Sequence, residues 1–68
     1  MGLRYKQNIL ELLKQNGYTT YKIRKDNLLS ESTVHKLRQK QGVDWKNLEK
    51  ICSLTHMQPG DFLEYVEE

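Results

Sequence analysis

In 68 residues the chain carries one cysteine, one proline, one tryptophan and one phenylalanine. Cys52 alone closes no internal disulfide, and no Cys and His spacing of the zinc-finger kind is present, so neither a covalent bridge nor a metal staples the fold. A reducing, cytoplasmic setting is therefore expected. No apolar run approaches the ~20 residues of a membrane span. Residues 1–8 turn charged at once, without the apolar core of a secretory leader, so neither secretion nor membrane insertion is expected. Alternating strand patterns, internal repeats and low-complexity tracts are missing as well. What remains is room for one domain, residues 1–68, of a size that buries only roughly 60% of its unfolded surface. Hydrophobic residues at 37% and charged residues at 29% are enough for a folded core.

The small net charge of +2 hides a division along the chain. Residues 1–16 carry +2, residues 17–41 hold six basic and two acidic groups, and residues 42–68 hold two basic and six acidic groups. A basic middle and an acidic end suggest a segment that faces a polyanion, backed by one that faces elsewhere.

Helical spacing dominates the pattern. Ile9, Leu10, Leu12 and Leu13 mark a first helix from about Tyr5 to Asn16, which Gly17 ends. Thr19 caps a short second helix from Thr20 to about Lys25, and Asp26 and Asn27 turn the chain. Ser30 caps a third helix that buries Val34 and Leu37, leaving Glu31, Ser32, His35, Lys36, Gln39 and Lys40 on other faces. Past Gly42, Asp44 caps a fourth helix with the stripe Leu48, Ile51 and Cys52. Pro59 suits the first turn of a fifth, with Asp61 at its positive end and Phe62, Leu63 and Val66 on its buried face. The fold class read from this pattern is all-α, with five helices.

Two groupings suggest chemistry and fail on inspection. Cys52 and His56 stand four apart, a spacing that puts two ligands on one helical face, yet no third ligand accompanies them and Cys52 is in register with Leu48 and Ile51. Ser30, Ser32 and His35 resemble a nucleophile with its base, but no acidic orienter is present and the serines suit a cap and an exposed first turn. No enzymatic activity, cofactor or metal is expected. Trp45 and the tyrosines Tyr5, Tyr18, Tyr21 and Tyr65 are read as packing residues rather than stacking platforms.

The segment from Thr19 to Leu37, with Thr19-Thr20 opening one helix and Leu29-Ser30-x-x-Thr33-Val34 leading into the next, resembles the helix-turn-helix of phage repressors and Cro proteins. Asp44-Trp45-x-x-Leu48-x-x-Ile51-Cys52 and Gln58-Pro59-Gly60-Asp61-Phe62-Leu63 are similar to the fourth and fifth helices of a short branch of this lambda-repressor-like (XRE) family. The likeness runs from about Lys6 to Val66, with the helix-turn-helix itself at about residues 19–40. It implies a phosphate and groove contact at Thr20, base reading by Glu31, Ser32 and Lys36, and a phosphate contact at Thr33. Departures are visible: Leu28 stands where the family usually has glycine, and Arg24 where it usually has alanine. Asn27 is then the residue expected to take the left-handed backbone angle. Arg38-Gln39-Lys40 replaces the usual Glu-x-Gly, which suggests that the third helix continues toward Gly42.

The expected function is sequence-specific binding of double-stranded DNA by a transcription regulator of the repressor kind, with Thr20, Arg24, Lys25, Glu31, Ser32, Thr33, His35, Lys36 and Lys40 as the DNA-binding set. Lys22, Arg24, Lys25, Lys36, Arg38 and Lys40 are able to supply sequence-independent phosphate contacts, although a basic run is often only a solubilising surface. One reading helix contacts few base pairs, so a homodimer on an inverted-repeat operator is expected, paired through Phe62, Leu63, Tyr65 and Val66. The alternative is a protein-interaction module of the same fold, such as an antitoxin-like or regulator-binding protein; an exposed apolar groove at the reading head would mark it.

Overall fold

The computed structural model describes residues 2–67. In chain order it contains β1 (Gly2–Tyr5), α1 (Ile9–Gln15), α2 (Thr20–Lys25), α3 (Glu31–Arg38), α4 (Trp45–Thr55), α5 (Pro59–Phe62) and β2 (Leu63–Val66). Five helices are present as expected, but a two-stranded sheet accompanies them, so the fold is not strictly all-α.

Each of the first four helices starts on a side chain that accepts a hydrogen bond from a backbone N–H three residues on. Asn8 accepts from Glu11, Thr19 from Lys22, Ser30 from Thr33 and Asp44 from Asn47, at 3.0–3.2 Å. A cap of this kind stabilises a helix by ~1 kcal/mol. The same four helices stop in one way. Gly17, Asn27, Lys40 and His56 take positive φ values of 90°, 56°, 60° and 57°. The residue after each sends its N–H back to a carbonyl five positions earlier: Tyr18 to Leu13, Leu28 to Ile23, Gln41 to Lys36 and Met57 to Cys52. This closure satisfies carbonyls that a helix end leaves open. Asn27 therefore takes the left-handed angle as expected. Lys40 does so too, and this ends α3 at Arg38 rather than near Gly42.

The sheet joins the two ends of the chain. Gly2, Leu3, Arg4 and Tyr5 stand opposite Val66, Tyr65, Glu64 and Leu63 in an antiparallel ladder. The Lys6 N–H extends it by donating to the Phe62 carbonyl at 2.8 Å, and Arg4 Nε meets Glu64 Oε2 at 2.6 Å. The Tyr5 hydroxyl donates to the Gln41 carbonyl at 2.8 Å, tying the sheet to the loop after α3. Burial raises the Tyr5 phenol pKa above its ordinary value. Two expectations are corrected here: α1 begins at Ile9 rather than Tyr5, and α5 is a single turn whose successor strand holds Leu63 and Val66. Apolar residues at 62, 63 and 66 fit a helical face, yet they also fit a strand beginning after a buried anchor. Pairing with residues 2–5, some sixty positions away, decides between them.

The core gathers one face of every helix: Ile9, Leu12 and Leu13 from α1, Ile23 from α2, Leu29 from the turn, Val34 and Leu37 from α3, Ile51 from α4 and Phe62 from α5. Phe62 and Ile51 are fully enclosed. Against this common centre α2 and α3 are held with their opposite faces in solvent.

Candidate nucleic-acid interface

Basic side chains in solvent are concentrated on α2, the turn through residues 26–30, and α3 with the residues just after it. On α3, Thr33, Val34 and Leu37 are buried, which fixes one side of the helix inward. At ~100° per residue the opposite side is centred on Ser32, His35 and Gln39, with Glu31 and Arg38 on one flank and Lys36 on the other. All six are exposed. Gln39 therefore belongs to this outward line, and its spacing of four from His35 and seven from Ser32 is the sequence signal that marks it.

On α2, Ile23 is buried, Thr20 is half-buried in the first turn, and Arg24 and Lys25 are exposed in the last. Lys22 lies over the Tyr18 ring, 5.4 Å from its centroid, and so is partly engaged within the molecule. Lys40 is exposed just beyond α3, beside a small groove with Leu3, Arg4, Val43 and Leu63. Among the described residues the ion pair between Arg4 and Glu64 is the one formed, so Arg24, Lys25, Lys36, Arg38 and Lys40 keep their charges available to an external anion.

Thr33 differs from the rest of the expected set. Its side chain is 5% exposed, and its hydroxyl lies 2.9 Å from Ser30 Oγ and accepts from Asn47 Nδ2 at 3.1 Å. It faces the interior and α4 rather than solvent, because three residues on from the cap is the position where a helix turns inward here. The structure thus brings together Glu31, Ser32, His35 and Lys36 on one helix edge, sets Arg24 and Lys25 on the neighbouring helix, and leaves Thr33 inside.

The turn between the helices is held from α4. Lys50 Nζ donates to the Leu28 carbonyl at 3.0 Å, three residues after Asn47 reaches Thr33. Sequence spacing does not reveal either tie, since each spans a fold-level distance. Leu28, where a glycine was expected, is half-buried against the core, and Asn27 beside it supplies the backbone angle that frees position 28 to be apolar.

A family model of the Cro/C1-type helix-turn-helix DNA-binding domain matches residues 8–68. The chain belongs to the Cro/C1-type family. A search of solved structures finds the crystal structure of the transcriptional regulator VanUg (form II), 29% identical with a TM-score of 0.67, the match covering 100% of this chain and 92% of that one. No curated protein matches the chain. Together with the capped pair α2 and α3, these likenesses mark the protein as a DNA-binding regulator. The match begins at Asn8, so it takes in the five helices and β2 but not β1, the strand with which β2 pairs. Among the described residues no helix is long and apolar enough to cross a membrane.

Away from this interface, α4 exposes an apolar edge. Trp45, Leu48 and Cys52 line a groove of about 400 Å³ with Glu49 and Pro59, and Trp45 is 84% exposed. On the sheet, Leu3 and Tyr65 are cross-strand partners, 74% and 59% exposed.

Proposed function

We propose that the protein is a sequence-specific repressor that reads the DNA major groove with α3 and binds an inverted-repeat site as a homodimer. One observation carries this reading: the outward edge of α3, Ser32, His35 and Gln39 flanked by Glu31 and Lys36, is entirely polar and able to donate and accept, while its inward edge is locked in the core. A major groove ~12 Å wide accepts one helix and offers a distinct hydrogen-bonding pattern for each base pair. Lys36 suits guanine as a donor, Glu31 suits the cytosine amine as an acceptor, and Ser32 and His35 serve either way. Thr20 at the start of α2, with Arg24, Lys25 and Lys40, supplies contacts to phosphates, which fix register without reading sequence.

A dimer follows from size, since one short helix reads too few base pairs for strong discrimination. Phe62 is fully buried within its own chain and takes no part in pairing. Tyr65 with its partner Leu3, and the Trp45 edge of α4, are the apolar surfaces left for a second copy. The alternative of a protein-binding module would be favoured by an apolar groove at the reading head. The apolar grooves lie on α4, beside the sheet, and between α4 and the turn at Leu28, while the outward edge of α3 is polar, so DNA is the better-supported target.

Selection of bound sequences from random duplex DNA, with affinities measured at two salt concentrations, tests the reading. Enrichment of one inverted-repeat motif is expected. Recovery of unbiased sequence at every salt concentration would overturn it.

A further inference from the structure

We propose that Asn47, on α4, is a positioning residue for base reading: through its hydrogen bond to Thr33 it sets the rotation of α3 about its own axis. This inference rests on α3 being the reading helix, as proposed above. Asn47 lies three residues past its helix cap, and its own N–H is already taken by Asp44 Oδ1 at 3.0 Å. Its side-chain amide turns toward α3, where Nδ2 donates to Thr33 Oγ1 at 3.1 Å. Thr33 Oγ1 in turn meets Ser30 Oγ at 2.9 Å, and Ser30 Oγ accepts the Thr33 N–H at 3.2 Å. The cap that starts α3 and the residue next to Ser32 are thus joined to α4 by one directional chain of hydrogen bonds.

The rest of the α3 packing is apolar. Val34 and Leu37 lie in the core with Leu13 and Ile51, and contacts of that kind resist separation far better than they resist a small rotation. A hydrogen bond, by contrast, weakens steeply as its angle degrades. Glu31 and Ser32 directly precede Thr33, so the angle at which Thr33 is held sets the angle at which they leave the helix. A group about 6 Å from the helix axis moves ~1 Å for each ~10° of rotation, while a recognition geometry tolerates shifts of only ~0.5 Å. Lys50, bonded to the Leu28 carbonyl from the same helix, holds the turn just before the cap and so fixes the other end of this lever.

The test compares affinity for a selected site with affinity for an unrelated duplex of the same length, in wild type and in Asn47→Leu, Thr33→Val, the double variant, and Thr33→Ser. Circular dichroism checks that each is folded. Asn47→Leu is expected to lower the specific-to-nonspecific ratio roughly 3- to 10-fold per half-site, the range of one hydrogen bond, and so roughly 10- to 100-fold on a full inverted-repeat site. Nonspecific affinity and its salt slope should stay within twofold of wild type. Thr33→Val, nearly isosteric, should do the same, the double variant should lose no more than either single, and Thr33→Ser should retain the ratio. Should Asn47→Leu fail to fold, the pair Thr33→Val and Thr33→Ser carries the comparison alone. An unchanged ratio, an equal fall in specific and nonspecific binding, or losses that multiply in the double variant would each overturn the inference. A wild-type protein with no preferred sequence would instead bring down the functional reading, and this inference with it.

Discussion

Replacing Lys36 by alanine separates base reading from phosphate contact more sharply than any other single change. The side chain is exposed, forms no ion pair within the described residues, and stands one turn after Ser32 on the flank of the outward edge. Its removal therefore leaves the core intact, and stability should stay within ~0.5 kcal/mol of wild type. A lost contact to a base costs ~1 to 3 kcal/mol, which is roughly 5- to 150-fold in affinity. In a dimer with two reading heads the loss enters twice, giving ~2 to 6 kcal/mol on a full site if the two contacts are equivalent and independent. Fluorescence anisotropy on the selected site and on a scrambled duplex, at two salt concentrations, reads both quantities. Preference should relax at one base pair per half-site, with the scrambled duplex little affected. If the variant instead binds both duplexes more weakly in the same proportion, with the log–log salt slope shallower by about 0.9 per contact, Lys36 touches phosphate. If the ranked sequences and the slope both stay as they were, the assignment of Lys36 to DNA is wrong.

Neutralising Arg24 and Lys25 together as glutamines should weaken binding to all sequences alike and flatten the salt slope by about 0.9 for each true phosphate contact, as titrations at several salt concentrations would show. Changing His56 to glycine should stabilise the fold by roughly 0.5 to 1 kcal/mol, because φ 57° costs a side-chain-bearing residue ~1 to 2 kcal/mol while glycine loses less than that in added chain freedom. A rise in Tm of a few degrees is expected, and a fall would mean that the His56 side chain is needed where it stands. The raised pKa of Tyr5 has a definite sign: above about pH 10 the unfolded phenol ionises first, so stability falls as pH climbs from there through the higher folded value. Urea denaturation at pH 9 and pH 11 should show a smaller pH-dependent loss in Tyr5→Phe than in wild type, and equal losses would place the phenol in ordinary solvent.

The helices were legible because each is locally signed. Asn8, Thr19, Ser30 and Asp44 start four of them, and the apolar spacing names Leu13, Val34, Leu37 and Ile51 as inward residues, while on α2 the spacing admits either Tyr21 or Ile23 and the structure buries Ile23. The consequence of the family departure at Leu28 was also readable, since asparagine takes the left-handed angle more readily than most residues and Asn27 does so. Other features depended on contacts that no local pattern carries. Residues 2–5 hold too little sequence to declare a strand, and Leu63 to Val66 read equally as helix or strand until the partner is known. Thr33 was expected at a phosphate by resemblance alone, and only Asn47, fourteen residues on, shows where its hydroxyl goes. Lysine has no preference for a positive φ, so nothing in the sequence at Lys40 marks the end of α3, which comes earlier than the run Arg38-Gln39-Lys40 suggests.

Pairing of Gly2 with Val66 turns the linear chain into something close to a ring. The local turns and helices can form early, but the ladder requires closing a loop that spans nearly the whole sequence, so strand pairing is expected to be a late step in folding. The same adjacency of residues 2 and 66 suits a design in which a short linker bridges these two positions and a new opening is cut in a surface turn. Fixing residues 2 and 66 together would remove roughly 4 kcal/mol of unfolded-chain entropy by the loop-closure relation, a large fraction of what a domain of this size can hold. It would do so on the sheet that carries Arg4 and Glu64, without altering any residue of α2 or α3.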